Sequence, residues 1–475
     1  MTGAVRGGVV SFDLLLEGGD IVHPGVGVAR GSVGVRDGRI VALLGPGERA
    51  RAREVIDCRN AFVLPGLIDP HTHFGFGDPL TDFRTEARSA ALGGVTAAMT
   101  FHRSADLRAS TPEWRDRGTA HSCIDFGFHY GLTSRLHVDT LEECARRFGV
   151  TSFKFYLMYK GAAGAAKGFH EIDDALLFAA MQATARIPGA VLGAHCENVE
   201  VIPALRPALQ AAGRDDLAAW DAQSPDFLEA ENVFRVGYFG EKTGCPVNIV
   251  HLSSAEGLGV VDMLRARPRP APIHVETCTH YLLMTRDWAS PVGKVNPPVR
   301  GAADVEALWQ GIADGRITTV GSDHVPRKLA TKGPDLWRAS AGFPGIATLL
   351  PILMEEGWHR RGLPIETLAA VTSLNVARLY NLPRKGRIAV GHDADFAVVD
   401  PDASRRVTAG TLESFSDYTP YEGLELRGWP RVTIRRGRVL QRDGVLLPDV
   451  EGDPGGEYLF RAVPDPRPAA QEATA

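Results

Sequence analysis

Three textures of apolar and polar positions follow one another along the chain. The first sixty residues alternate over short runs, "DLLLEGGDIV", "GSVGVRDGRIVALLG" and "REVIDCRNAFVLPG", broken by Gly-Gly, Asp-Gly and Arg-Asn. Alternation between turn signals, with β-branched residues in the runs, predicts short strands. The same texture returns near the end in "KGRIAVGHDADFAVVDP" and "WPRVTIRRGRVLQRDGVLL". Two β-rich ends around a long middle predict one small β-sandwich assembled from both.

The middle reads differently. Eight apolar, β-rich runs each close on polar residues: "AFVLPGLIDPHTH", "VTAAMTFH", "DFGFHYGLT", "TSFKFYLMY", "AVLGAHCEN", "VNIVHLSS", "IHVETCTHYL" and "ITTVGSDHVP". Between them lie stretches of helical period such as "DFRTEARSAALGG", "IDDALLFAAMQATAR" and "DVEALWQGIADG". Strand then helix, eight times over, predicts an α/β fold, a (β/α)8 TIM barrel with both strand faces buried. The expected division is 1–64 for the N-terminal part of the sandwich, 65–385 for the barrel, 386–446 for the C-terminal part of the sandwich and 447–475 for a C-terminal arm and flexible tail. The tail from Pro464, rich in Pro and Ala, is expected to be disordered.

Composition narrows the class without changing this picture. Of 475 residues, 44% are hydrophobic and 23% charged, with a net charge of −5. That is a globular composition, with no basic footprint for nucleic acid or an acidic membrane surface. No apolar run approaches the roughly 20 residues that span a bilayer, and "MTGAVRGGVVSFDLLLEGG" lacks the apolar core of a signal peptide. The six cysteines lie far apart with no C-x-x-C pair. They are expected to be reduced thiols of a cytoplasmic protein.

Barrel enzymes place their chemistry at the C-terminal ends of the strands. There the first run presents His71 and His73, the fourth Lys154, the fifth His195, the sixth His251 and the eighth Asp323. Each has a bland reading: a hydrogen-bonded strand-end histidine, a snorkelling lysine, a helix N-cap aspartate. Those readings are independent, and their coincidence on one rim favours a metal site of imidazoles and carboxylate. An ammonium cannot ligate a metal, and burying one unpaired is costly. A neutral Lys154 amine, however, can add carbon dioxide to give an anionic carbamate with two oxygens. The expected centre has His71, His73 and Asp323 on one divalent ion, His195 and His251 on the other, and carbamylated Lys154 between them. A hydroxide shared by two metals is a nucleophile at neutral pH, with Asp323 as ligand and proton shuttle.

With these residues in place, the chain resembles the amidohydrolase superfamily, in the branch of D-hydantoinase, dihydropyrimidinase, allantoinase and dihydroorotase. The matching segments are "PGLIDPHTHF", "SFKFYLMYK", "AHCEN", "VHLSSAEGL", "VETCTHYL", "NPPVR", "GSDHVPR" and "LNVARLYNLPRKGRIAVGHDADFAVVD", in family order over nearly the whole chain. The resemblance implies hydrolysis of a cyclic amide, with Lys154 as the carbamylated bridge and the four histidines and Asp323 as ligands. It implies Tyr159 as donor to the carbonyl oxygen that gains charge, and Asn296 and the loop at Gly342 as holders of the cyclic amide. Ala341 stands where hydantoinases tend to have asparagine. Zinc is the default metal, and manganese, cobalt, nickel or iron tolerate the same ligands. The resemblance also implies a homo-oligomer, a dimer or tetramer, with "GGEYLFRAVPDP" as an arm reaching a neighbour.

Dihydroorotases carry an arginine directly after H-x-H to grip a carboxylate; here Phe74 and Gly75 follow. Phe74, Phe76, Leu80, Phe155, Leu157 and Met158 would suit an apolar ring substituent, or else merely pack the rim. "MTFHR" departs from both the hydantoinase and the allantoinase pattern, and His102 or Arg103 there would read a polar or acidic substituent or be solvated. A 5-substituted hydantoin, a dihydropyrimidine and an allantoin-type ureide all stay open. The rival from another class is a non-catalytic scaffold homologue, which the intact ligand positions disfavour.

Overall fold

The computed structural model describes residues 11–464. The first ten residues, and the tail beyond Pro464 that was expected to be disordered, lie outside the described residues. The eight central runs form one sheet of eight parallel strands in sequential order, Leu67–Thr72, Val95–His102, Asp125–Leu132, Ser152–Tyr156, Val191–His195, Val247–Ile249, Ile273–Cys278 and Thr319–Gly321. Thr72 bridges to His324 in parallel, and the His73 N–H donates to the His324 carbonyl at 2.9 Å, so the first and last strands close a barrel. Every residue of the first strand is buried, as expected where helices cover the outer face of a parallel sheet. The intervening helices begin where local chemistry caps them. Asp173, for example, accepts from the Leu176 N–H at 2.7 Å to start Asp174–Ala185.

Both chain ends build a nine-stranded mixed sheet. Phe62–Pro65 sits at its centre, parallel to Ser11–His23 and antiparallel to Phe396–Val399. Its core gathers Leu14, Val33, Ile56 and Val63 from the first end and Phe396, Val398 and Ile434 from the second. Gly66 is all that separates this sheet from the first barrel strand. A Cβ at Gly66 would lie 2.2 Å from Thr96 Oγ1, so only glycine lets the chain pass this close.

Two contacts fix the far end of the barrel. Lys385 Nζ reaches Asp125 at 2.7 Å and Asp395 at 2.6 Å, so an ammonium serves as the cation of the acidic group Asp125, Asp393 and Asp395. The segment expected to reach a neighbour also lies against its own barrel. The Leu459 N–H donates to the Phe126 carbonyl at 2.7 Å, and buried Arg461 donates to Ser152 Oγ at 2.6 Å. Backbone pairing beside Phe126 and satisfaction of a buried guanidinium hold these residues in place. No helix among the described residues is long and apolar enough to cross a membrane.

Candidate metal centre

Strand period two places His71 and His73 on the same face of the first barrel strand. His71 Nε2 and His73 Nε2 each lie 3.1 Å from Asp323 Oδ1. Lys154 Nζ lies 3.1 Å from His71 Nε2 and 4.3 Å from the centre of the Phe101 ring. His195 and His251 form a pair beside this group, ring centres 4.4 Å apart, with His251 5.3 Å from His71. The structure thus brings together the six residues that sequence reasoning placed at the strand ends. His251 and Asp323 have φ of 42° and 47°, a left-handed conformation that is costly for residues with a Cβ and that concentrates at functional sites.

The donors suit a first-row divalent ion. Ligand bonds of about 2.0–2.2 Å put tetrahedral ligand atoms about 3.3–3.6 Å apart, and the 3.1 Å separations around Asp323 Oδ1 lie a few tenths of an ångström inside that. Three of the four imidazoles, His73, His195 and His251, are held in the neutral, ligating form. Burial pushes His73 down to about 3, and burial outweighs Glu197 at His195. His251 falls well below its usual range through burial and the neighbouring His195. At His71, burial and Lys154 act downward, but Asp323 and Glu276 outweigh them and raise it. Burial pushes the Lys154 amine down to about 8, which brings its neutral form within reach near neutral pH.

Three carboxylates outside the expected ligand set orient it. Glu276 Oε1 lies 2.5 Å from His71 Nδ1. Glu197 Oε2 lies 3.1 Å from His195 Nε2, and its other oxygen accepts from Ser224 Oγ at 2.7 Å. Asp69 Oδ1 accepts from the backbone N–H groups of His71 and Ser322, at 3.0 and 3.1 Å, and so ties the first strand to the eighth beside Asp323. The visible signal for Glu276 is a lone carboxylate inside the apolar run "IHVETC"; Glu197 has only its spacing from His195.

A cavity of about 570 Å³ opens over this floor, walled in part by Phe76, Tyr159, Asn296, Asp323 and Gly342. Tyr159 is stacked on Phe169, ring centres 4.4 Å apart, and its oxygen accepts from Arg103 Nη1 at 3.1 Å. Asn296 Oδ1 accepts from Trp220 Nε1 at 3.2 Å. Gly342 borders the cavity, but its N–H donates to the Lys294 carbonyl at 3.0 Å and its carbonyl accepts from Lys332 Nζ at 2.7 Å. The backbone groups expected to hold an amide there are already engaged within the protein. Phe74 and Phe155 do not wall the cavity. The turn after the first strand carries Phe74 into T-shaped contact with Phe83 at 5.8 Å, and period two turns Phe155 away from Lys154 into the core. Phe76 and Met158 take the rim in their place, and Leu80 is exposed. Of the two alternatives after the second strand, His102 is buried against Ser110 Oγ at 2.8 Å, and Arg103 faces the cavity.

A model described as "Amidohydrolase family" matches residues 249–440. An allantoinase of Rubrobacter xylanophilus is 36% identical over 463 residues, covering 94% of this chain and 98% of that protein. An L-hydantoinase of Paenarthrobacter aurescens is 30% identical over 450 residues, covering 92% and 96%. Among solved structures, an L-hydantoinase (dihydropyrimidinase) from Arthrobacter aurescens superposes with a TM-score of 0.86 at 29% identity, covering 95% of this chain and all of that one. A dihydropyrimidinase from Brevibacillus agri superposes with a TM-score of 0.85 at 27% identity, covering 96% and 99%.

Proposed function

We propose a working mechanism on the premise that the chain belongs to the amidohydrolase family and, like its relatives, is a hydrolase of carbon–nitrogen bonds in cyclic amides. In our reading it opens the ring of a five- or six-membered ureide or imide. The observation that carries this is the meeting of His71, His73 and Asp323, within 4.8 Å of one another, with buried Lys154 at the floor of one cavity.

The family implies a divalent metal centre, and the donor set fits it. His71, His73 and Asp323 would hold one ion and His195 and His251 a second, with Lys154, carbamylated by carbon dioxide, between them. Two such ions, zinc by default, would lower the pKa of a shared water and polarise the ring carbonyl. Glu276 and Glu197 keep a proton on the nitrogen facing them, so His71 offers Nε2 and His195 offers Nδ1 as lone pairs.

The remaining roles belong to side chains. Because the Tyr159 oxygen already accepts from Arg103, its own hydrogen is free to point at a carbonyl oxygen gaining charge. Asn296, its oxygen held by Trp220, turns its NH2 donors to the ring amide. Asp323 takes the proton of the attacking water and delivers it to the departing ring nitrogen. Six buried free cysteines suit a reducing, cytoplasmic setting, and we expect a homo-oligomer.

The test is turnover of hydantoin, 5-monosubstituted hydantoins, dihydrouracil and allantoin, with metal content measured on the same preparation. Ring opening that tracks bound metal supports the reading. A metal-loaded protein inert toward the whole panel would overturn it and favour the scaffold alternative.

A further inference from the structure

The charges around the cavity are one-sided. Its wall carries the carboxylates Glu197 and Asp323, both engaged with histidines, against Arg103, Lys167, Arg206, Lys294 and Arg327 besides Lys154. The donors of these cations that are engaged go to neutral groups. Arg206 bonds Gln223 Oε1 at 2.7 Å, Lys294 the Leu336 carbonyl at 2.7 Å and Arg327 the Ala341 carbonyl at 3.1 Å. Such a cluster in a hydrophobic-walled cleft makes a positive potential that attracts anions.

Within it Arg103 stands apart. It follows the second barrel strand directly, and its stem lies flat across Gly131 of the third, where a Cβ would meet Arg103 Cγ at 2.4 Å. Its guanidinium lies 4.7 Å from the Phe76 ring centre and 5.3 Å from that of Tyr156, and donates one N–H to Tyr159. A guanidinium has five N–H donors in a fork that matches a carboxylate. Aromatic rings hold that fork in place without neutralising it. Arg327 walls the same cavity and adds a second guanidinium to it.

We propose that Arg103, backed by Arg327, binds an anionic group, a carboxylate, on the side arm of the substrate ring. The inference rests on the cyclic-amide reading above and deepens it. Arg103 is bonded to the phenol that would donate to the reacting carbonyl, so the arm it meets is carried on the ring carbon next to that carbonyl. The substrate class is then a cyclic ureide or imide with a short acidic arm, in place of the apolar substituent that the rim aromatics suggested. Phe76, the nearest of those aromatics, serves as a stacking surface for the cation.

The experiment uses the metal-loaded full chain, with hydantoins bearing a 5-acetate or 5-propionate arm compared with their primary amides and with unsubstituted hydantoin. For one of the two arm lengths, the acid is expected to exceed its amide in kcat/KM by at least about 10-fold. Arg103→Gln is expected to cut that acid-to-amide ratio by about 10- to 100-fold, mainly through KM, and Arg103→Lys to recover part of it. A wild type that prefers the amides overturns the inference, and so does an acid preference that survives Arg103→Gln, which would place the attraction at the metals. An equal loss on acid and amide through kcat also overturns it, since Arg103 would then act only by positioning Tyr159. Inertness toward every ring removes the cyclic-amide reading itself, and turnover of the neutral rings without acid preference removes this inference alone.

Discussion

Glu276 Oε1 lies 2.5 Å from His71 Nδ1, with both side chains fully buried. That contact keeps the proton on Nδ1 and leaves Nε2 to face Asp323 and Lys154. Glu276→Gln replaces a pure acceptor by a group that can present either a donor or an acceptor, so the ring tautomer is no longer fixed. Metal affinity should fall by about 10- to 100-fold, read by chelator competition on the folded protein. Unchanged affinity would show that Glu276 holds the barrel rather than the ligand.

Lys154 supplies the sharpest test of the bridging role. Lys154→Ala should bind fewer ions per chain and lose ring-opening activity, and acetate or propionate should restore part of both by placing a carboxylate where the carbamate would stand. Metal content and turnover on the same sample decide it. Full activity without added acid would sink the carbamate proposal.

The contrast between these two residues explains what could be read from the sequence. The barrel and its strand-end residues were legible because both follow from local order: an apolar run, then a polar residue at its C-terminal end. Lys154 stood out as a cation in "SFKFY", and a cation in an apolar run demands an account. Glu276 answers a demand made by His71, 205 positions away, and no local pattern records that pairing. Phe74 failed for the complementary reason. Adjacency to His73 suggested the rim, but the turn that follows Thr72 carries Phe74 inward against Phe83. The partner of Tyr159 was equally hidden, because the 56 positions separating Arg103 from it close only when the second and fourth strands flank the third.

The junction between the two sheets is a packing constraint with a measurable cost. In Gly66→Ala the new methyl would meet Thr96 Oγ1 at 2.2 Å and Thr96 Cγ2 at 2.6 Å, at a point where the backbone cannot retreat from both sheets. Overpacking of this kind costs about 1–3 kcal/mol. Thermal unfolding should show the loss, and Gly66→Ala/Thr96→Ala should regain part of it by removing both atoms. A single variant as stable as the wild type would mean that the sheets slide apart freely at this point.

Glu355 offers a pH-dependent contribution away from the metal centre. Arg427 forks onto it with bonds of 2.8 and 2.9 Å, joining the helical segment Leu353–His359 to the strand Glu425–Arg427. Those bonds hold the carboxyl down at about 2 in the folded protein, against about 4.5 unfolded. The folded state therefore binds fewer protons at Glu355 than the unfolded state. Its contribution is complete above the unfolded value and disappears as the pH falls through the folded one. Arg427 is 41% exposed, so solvent screening reduces the pair to on the order of 1 kcal/mol. Glu355→Gln should be less stable than the wild type by that amount from pH 5 to 7, and the gap should close between pH 4.5 and 2. Melting both proteins in parallel across that range, metal-free so that ligand protonation does not intrude, measures the gap. A difference that stays constant with pH would assign it to packing and not to the carboxylate charge.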